Sequence, residues 1–308
     1  MNRLPSDLIK LPWQFDSERL VYEIAQIPQS EWTRNPSKLA GNSALILVSV
    51  DGEINDKFAI AGPMKATKHL GACPYMQQVF ATLDAPISRS RLMRLAPGAP
   101  VGTHLDARYH WFRRIRIHIP VITNPAVKFT CNEQTVHMAA GEAWTFNSAK
   151  PHGVVNPSDQ ERIHLVIDTK GSEALNEVIQ NAAHLSPRFV PYVPDQQVEV
   201  PLEPYFFEVL TPQEIDSLLD SISQYVQGEL SAEQWAYLTD KADIFKQKWR
   251  TVFAQYGHHE AGKSAYEQLI AWFRSEIKAQ VDHLIPKHAM SRFYLAVIDG
   301  MLTISNRV

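Results

Sequence analysis

From Ser90 to Asp168 the chain is broken into short apolar-rich runs too brief and too regularly interrupted for helices. They read "RSRLMRLAPG", "RRIRIHIPVI", "VKFTCN", "QTVHMAAGEAWTFN", "HGVVN" and "RIHLVID". Many alternate polar with apolar residues, and Pro-Gly, Asn-Pro and Ala-Gly steps punctuate them. Repeated short strands with turn signals between them specify a sandwich or barrel of antiparallel strands. The expected fold class is therefore a mainly β core, a sandwich or barrel, with flanking helices.

The flanks read differently. "DSERLVYEIAQI" and "CPYMQQVFATL" suit helices, the second with Pro74 in its first turn. "SALILVSVDG" suits a strand ending in a turn at Asp51-Gly52. Five prolines between Pro187 and Pro204 mark a linker or an extended strap. Three helical patterns follow. Thr211 with Glu214 and Ser231 with Gln234 form capping boxes, and Gly257 is a stop. "FYLAVIDGMLTI" suits a hairpin turning at Asp299-Gly300. The expected division is a β domain over 1–186, with its core at about 44–170, and a proline-rich connection and mainly α-helical domain over 187–308. A net charge of −3 gives no basic footprint for nucleic acid. No apolar run approaches the roughly 18 residues of a membrane helix, and the N-terminus has no signal-like apolar core. Cys73 and Cys131 stand far apart, as in a reduced, cytoplasmic protein.

The chemistry concentrates in "GTHLDARYHWFRRIRIHIP". His104 and Asp106 are two residues apart, so on extended backbone they share a face. A third ligand must come from another strand, and His152 opens one forty-six residues after Asp106. Two imidazoles and a carboxylate on one side of a metal leave three positions open, the arrangement of non-haem Fe(II) oxygenases. Such iron commonly takes 2-oxoglutarate as co-substrate, and the far carboxylate of that molecule needs a fixed cation. Arg162 lies ten residues after His152, across "NPSDQE". That spacing suits an adjacent strand of a hairpin, with the guanidinium aimed inward to meet a carboxylate through two parallel bonds. In "RRIRIHIP" the period of two places Arg114, Arg116 and His118 on one face and Ile115, Ile117 and Ile119 on the other. The isoleucines are expected against helices. The polar three are expected to line a cavity that holds small carboxylic acids.

Taken together, "LVSVDGEINDKFAIAGPM", "LAPGAPVGTHLD", "RIRIHIPVITNP", "GEAWTFNSAKPHGVVN" and "ERIHLVID" resemble the aspartyl/asparaginyl β-hydroxylase-like 2-oxoglutarate oxygenases, which include bacterial free L-proline hydroxylases. The resemblance runs from about Leu47 to Asp168. It implies a double-stranded β-helix that uses Fe(II), 2-oxoglutarate and O₂. His104, Asp106 and His152 would be the iron ligands and the catalytic centre. Arg162 would clamp the distal 2-oxoglutarate carboxylate, and His118 would stand near the metal-chelating one. Arg116 would meet the substrate carboxylate. Asp106 sets the chain apart from the vertebrate peptide-hydroxylating branch, which lacks a carboxylate ligand. Met93 replaces a serine that binds 2-oxoglutarate in that branch, which leaves Arg91 or Arg94 to substitute. Both join Arg116 and Trp111 as candidate substrate-binding residues.

The expected activity is hydroxylation of an unactivated C–H of a free amino acid, proline-like, or of a related small carboxylic acid. The rivals are a peptide or protein aspartyl/asparaginyl β-hydroxylase and a non-catalytic jelly-roll sensor of metal and dicarboxylate. Internal ion pairs with Glu142 or Asp168 are the bland alternative for Arg116 and His118. Trp144 is expected in the core rather than on a substrate wall. His164, alternating with Arg162, faces either cavity or core. The aromatic C-terminal helices are expected to pack together, with a homodimer face or lid as their further use.

Overall fold

The computed structural model describes residues 4–34, 40–55, 62–104, 106, 114–148, 150–205, 207–226 and 230–284. Trp111 and the hairpin expected around Asp299-Gly300 lie outside them. Cα clustering separates two compact units, one running through Tyr205 and the other formed by the helices that follow.

In the first unit, strand β1 (Leu8–Phe15) leads into helix α1 (Ser17–Ala25), whose first turn is capped by the Asp16 carboxylate. Strands β2 (Thr33–Arg34), β3 (Asn42–Val50) and β4 (Met64–Ala66) follow. The Asp51-Gly52 turn has positive φ at both residues, 56° and 74°. Next come the short α2 (Lys68–Gly71) and α3 (Pro74–Thr82), the latter with Pro at its start. The β core is then β5 (Ile87–Leu95), β6 (Pro100–His104), β7 (Ile115–Ile122), β8 (Lys128–Cys131), β9 (Gln134–Val136), β10 (Glu142–Phe146), β11 (His152–Val155) and β12 (Arg162–Thr169). Helix α4 (Glu173–Asn181) and the edge strand β13 (Arg188–Val190) complete it.

The pairing order defines the fold. One sheet runs β13-β1-β10-β7-β12-β5-β3-β2, with β4 beside β3, and the other runs β6-β11-β8-β9. Consecutive core strands therefore alternate mostly between two facing sheets, as in a double-stranded jelly roll. Leu8, Leu95, Phe129, Cys131, Met138, Phe146 and Val154 fill the space between them. A second core covers the outer face of the larger sheet. There Ile115, Ile117 and Ile119 of β7 and Ile163, Leu165 and Ile167 of β12 meet Leu20, Tyr75, Val79, Phe80 and Leu175 of α1, α3 and α4. Each such burial contributes roughly 1.5–3 kcal/mol. A one-residue slip of β7 would put Arg116 and His118 under the helices instead, so the register is strongly set.

One expectation needs correction, and one element was not assigned from sequence: β1 pairs with β10. His152 and Arg162 are not on adjacent strands of a hairpin: β11 lies in the smaller sheet and β12 in the larger. The turn between them carries the chain from one sheet to the other, so the two residues face each other across the interior. Of the two readings of the proline-rich run, linker or strap, the contacts favour a strap on the first unit. Tyr75 Oη donates to Val190 O, Gln78 Nε2 donates to Val193 O at 2.8 Å, and Ile87 and Leu202 form an isolated parallel bridge.

The second unit comprises α5 (Pro212–Val226), α6 (Ala232–Tyr256) and α7 (Lys263–Leu284). Both capping boxes form: Thr211 N–H donates to Glu214 Oε2 and Glu214 N–H to Thr211 Oγ1, and the Ser231–Gln234 pair does the same. Phe245, Trp249, Tyr266 and Phe273 pack together, and Trp249 Nε1 donates to Leu210 O at 2.8 Å. Among the described residues no helix is long and apolar enough to cross a membrane.

Candidate metal and dicarboxylate site

The two histidines that stand forty-eight residues apart are direct cross-strand partners. His104 closes β6, His152 opens β11, and the strands pair with these residues opposite each other. Their ring centroids lie 4.3 Å apart. Asp106 follows just past the end of β6, held by its backbone N–H donating to Ser148 O at 3.0 Å. His104 Nε2 is 4.0 Å from Asp106 Oδ1, and His152 Nε2 is 3.9 Å from Oδ2. All three potential ligand atoms lie within 4.8 Å of one another.

The donor set fits a divalent ion. His104 Nδ1 meets Gly102 O at 2.9 Å and His152 Nδ1 meets Lys150 O at 2.9 Å. A carbonyl partner puts the hydrogen on Nδ1 in each ring and leaves the Nε2 lone pair for a metal. His152 Nε2 is buried with no hydrogen-bond partner among the described residues. Burial is the main cause that pushes the His152 imidazole down to about 4, with His104 and Arg116 adding to it against Asp106. A neutral ring is the ligating form.

Behind the triad stands a charged pair. Arg116 Nη1 donates to Asp106 Oδ2 at 2.8 Å and its Nε to Asp168 Oδ1 at 2.9 Å. Asp168 is the cross-strand partner of Arg116 between β12 and β7. Burial opposes the Arg116 charge, but the two carboxylates outweigh it and hold its pKa above the ordinary arginine range. The internal pairing with Asp168 weighed from sequence is thus present, and Glu142 instead pairs with Lys10. Arg114 does not line the cavity as a free cation. Glu203, from the strap, takes its guanidinium together with Ser88.

The deeper part of the interior is less compensated. Arg162 is buried, and Nη2 donates to His164 Nδ1 at 2.6 Å. Its Nε has no partner, and no carboxylate among the described residues pairs with it. Burial alone pulls this guanidinium down to about 9. His118 sits between Arg162 and the triad, edge-on to Phe129, Phe146 and His164. Its Nδ1 is buried without a partner among the described residues. Burial first, then Arg162, Arg116 and His152, hold His118 well below the ordinary histidine range. His164 is held down likewise by burial, Arg162 and His118. It faces the interior.

Alternation along β5 separates the remaining candidates. Arg91 pairs with Val166, which in turn pairs with His118, so Arg91 belongs to the inner face. Arg94 does not. It shares the outer face with Leu92, bonds Ser43 Oγ at 2.8 Å and lies over the Trp32 ring at 4.3 Å. As a site residue it is corrected, because β5 turns it away from the interior. Trp144 packs against the core between the sheets, with Nε1 donating to Glu142. Sequence reasoning missed Arg89. It lies near enough to Arg91, Arg116, Asp168 and Asp106 for their charges to interact. The alternation in "SRSRLMRL" carried that signal, since Arg89 and Arg91 are two apart.

The fold and site together define a jelly-roll protein with a His-Asp-His metal-type centre beside a buried arginine. Residues 44–171 match the family model described as Aspartyl/Asparaginyl beta-hydroxylase. The chain is 24% identical over 174 residues to L-proline cis-4-hydroxylase of Rhizobium meliloti (strain 1021), covering 54% of this chain and 62% of that protein. It is 24% identical over 119 residues to L-proline cis-3-hydroxylase 1 of a Streptomyces species, covering 37% and 41%. The chain thus spans less than two thirds of either relative. A solved oxidoreductase of the 2OG-Fe(II) oxygenase family from Burkholderia pseudomallei is 17% identical over 51% of this chain and 79% of that one, with a TM-score of 0.37.

Proposed function

We propose that this protein is an Fe(II)- and 2-oxoglutarate-dependent dioxygenase that hydroxylates an unactivated C–H of a small amino or carboxylic acid. The observation that carries the reading is the juxtaposition of three convergent metal-ligand atoms with a buried arginine that no carboxylate among the described residues pairs with. His104, Asp106 and His152 would hold Fe(II). That ion, with 2-oxoglutarate, couples decarboxylation of the co-substrate to succinate and CO₂ with transfer of one oxygen atom of O₂ into the C–H bond. Arg162 clamps the distal carboxylate, for which its planar fork is suited. His164 holds the guanidinium from behind. His118, kept neutral, turns its partnerless Nδ1 to a ligand carboxylate. Arg116 holds Asp106 in ligating orientation through the Asp168 tether.

The test is anaerobic addition of Fe(II) and then 2-oxoglutarate, watching for the visible charge-transfer band of the chelated co-substrate. Air is then admitted over a panel of amino acids while succinate is counted. A band that decays faster with one amino acid supports the reading. Succinate formed only with peptides points to a peptide hydroxylase, and a band with no stimulated turnover points to a sensor. No band refutes the site.

A further inference from the structure

One carboxylate outside the segment that matches the family model joins both sheets beside the metal ligands. Asp7 stands just before β1, and the register that sets Leu8 opposite Phe146 carries Asp7 to Asn147. Asn147 N–H donates to Asp7 O at 3.0 Å, and Asn147 Nδ2 donates to Asp7 Oδ1 at 3.2 Å. The other carboxylate oxygen, Oδ2, accepts from Asn132 Nδ2 at 2.9 Å. Asn132 follows β8 in the smaller sheet, whereas Asn147 follows β10 in the larger. The half-buried Asp7 side chain therefore spans the two sheets. It does so next to His152, whose cross-strand partner on β8 is Cys131.

Both asparagines lead on to the ligands. Asn132 N–H donates to Pro151 O at 2.7 Å, extending the ladder in which Cys131 faces His152. Lys150 N–H donates to Asn147 O at 2.9 Å, which closes the turn after β10. Ser148 and Lys150 stand between these two anchors. Ser148 O accepts from the Asp106 N–H, and Lys150 O takes the Nδ1–H of His152. Two of the three ligands thus bond to carbonyls that the Asp7 contacts bracket from both sides. A carboxylate acceptor makes such bonds roughly twice as strong as a neutral one. Building on the proposed metal-site reading, we propose that Asp7 is a positioning residue for the metal centre. Its carboxylate holds Ser148 and Lys150 where their carbonyls orient Asp106 and His152.

The test is calorimetric titration of Mn(II) into the metal-free protein, without 2-oxoglutarate, with urea melts of the same samples. Outer partners of metal ligands control affinity by about 10- to 100-fold. Asp7 acts through one further link, so Asp7→Ala should weaken Mn(II) binding roughly tenfold. Asn132→Gly deletes one amide while keeping the positive φ of 53° that glycine accepts, and should weaken Mn(II) binding by less. Because both changes break the same link, the double variant should bind no worse than Asp7→Ala. A residue that serves only the fold would lower the urea midpoint and leave the folded protein with wild-type Mn(II) affinity. That result for Asp7→Ala, or losses that add in the double variant, would overturn the inference. If Asp7→Ala does not fold, Asn132→Gly decides alone, and wild-type affinity there overturns it. If the wild-type protein itself binds no Mn(II), the metal-site reading falls and the inference with it. If it binds and the variants match it, the inference alone falls.

Discussion

Replacing Arg162 with methionine should stabilise the ligand-free protein while destroying its affinity for 2-oxoglutarate. The guanidinium is buried, His164 is its one hydrogen-bond partner among the described residues, and burial pulls it down to about 9. At about 1.4 kcal/mol per pH unit, holding that charge costs the folded state up to about 5 kcal/mol. Removing it forfeits the His164 bond, about 1 kcal/mol, and some packing of the stem. Buried charges replaced by apolar side chains commonly yield a gain of about 1–4 kcal/mol. We expect about 1–3 kcal/mol here, a rise of roughly 2–10 °C in the transition of the β unit. Thermal scans with Mn(II), with and without 2-oxoglutarate at about a hundredfold its wild-type Kd, measure both effects. The wild-type protein should gain about 2.7 kcal/mol from the ligand and the variant almost nothing. KM for 2-oxoglutarate should rise on the order of a hundredfold or more, since a buried charge contact is worth about 2–5 kcal/mol. A destabilised variant that still responds to 2-oxoglutarate would refute the claim that this arginine waits for a ligand carboxylate.

Other perturbations separate the roles of neighbouring groups. Asp168→Asn loosens Arg116 and hence Asp106, so calorimetric Mn(II) affinity should fall about 10- to 100-fold, and unchanged affinity would remove the tether from the account. Metal-free protein should lose stability as pH falls from about 6.5 towards 5, measured by urea melts at each pH. His118, His152 and His164 are all held below their unfolded values, so the unfolded chain binds up to three more protons there and stability rises with pH. Glu23, pushed up by burial, opposes this with at most one proton. Glu203→Gln leaves Arg114 short of its counter-charge and should cost about 3 kcal/mol, with faster limited proteolysis between 191 and 205. Gly141 has φ +78° and an added Cβ would overlap the Phe15 carbonyl oxygen, so Gly141→Ala should cost about 2–4 kcal/mol in denaturant melts.

How much of this was legible in sequence follows from the range of the forces involved. Period-two alternation is local, so it assigned Ile117 and Ile119 to one face and Arg116 and His118 to the other, and it also held the unused signal for Arg89. Helix caps are local too, and Thr211, Ser231 and Pro74 stand where their chemistry requires. The identities of the triad and of Arg162 followed from residue type and resemblance. Their pairing did not. That His104 faces His152 depends on β6 and β11 meeting in the smaller sheet, a register decided by which apolar faces can be buried together. That Arg162 lies in the opposite sheet, that Arg94 turns outward, and that Arg114 is neutralised by a glutamate eighty-nine residues away in a strap are likewise outcomes of packing. The sequence by itself determined which side chains carry charge and which share a strand face, because those properties travel with the residue and its neighbours. Only the tertiary structure decided which charges neutralise one another, because a carboxylate and a guanidinium pair by distance in space, and the chain brings them together only when both sheets close over a common core.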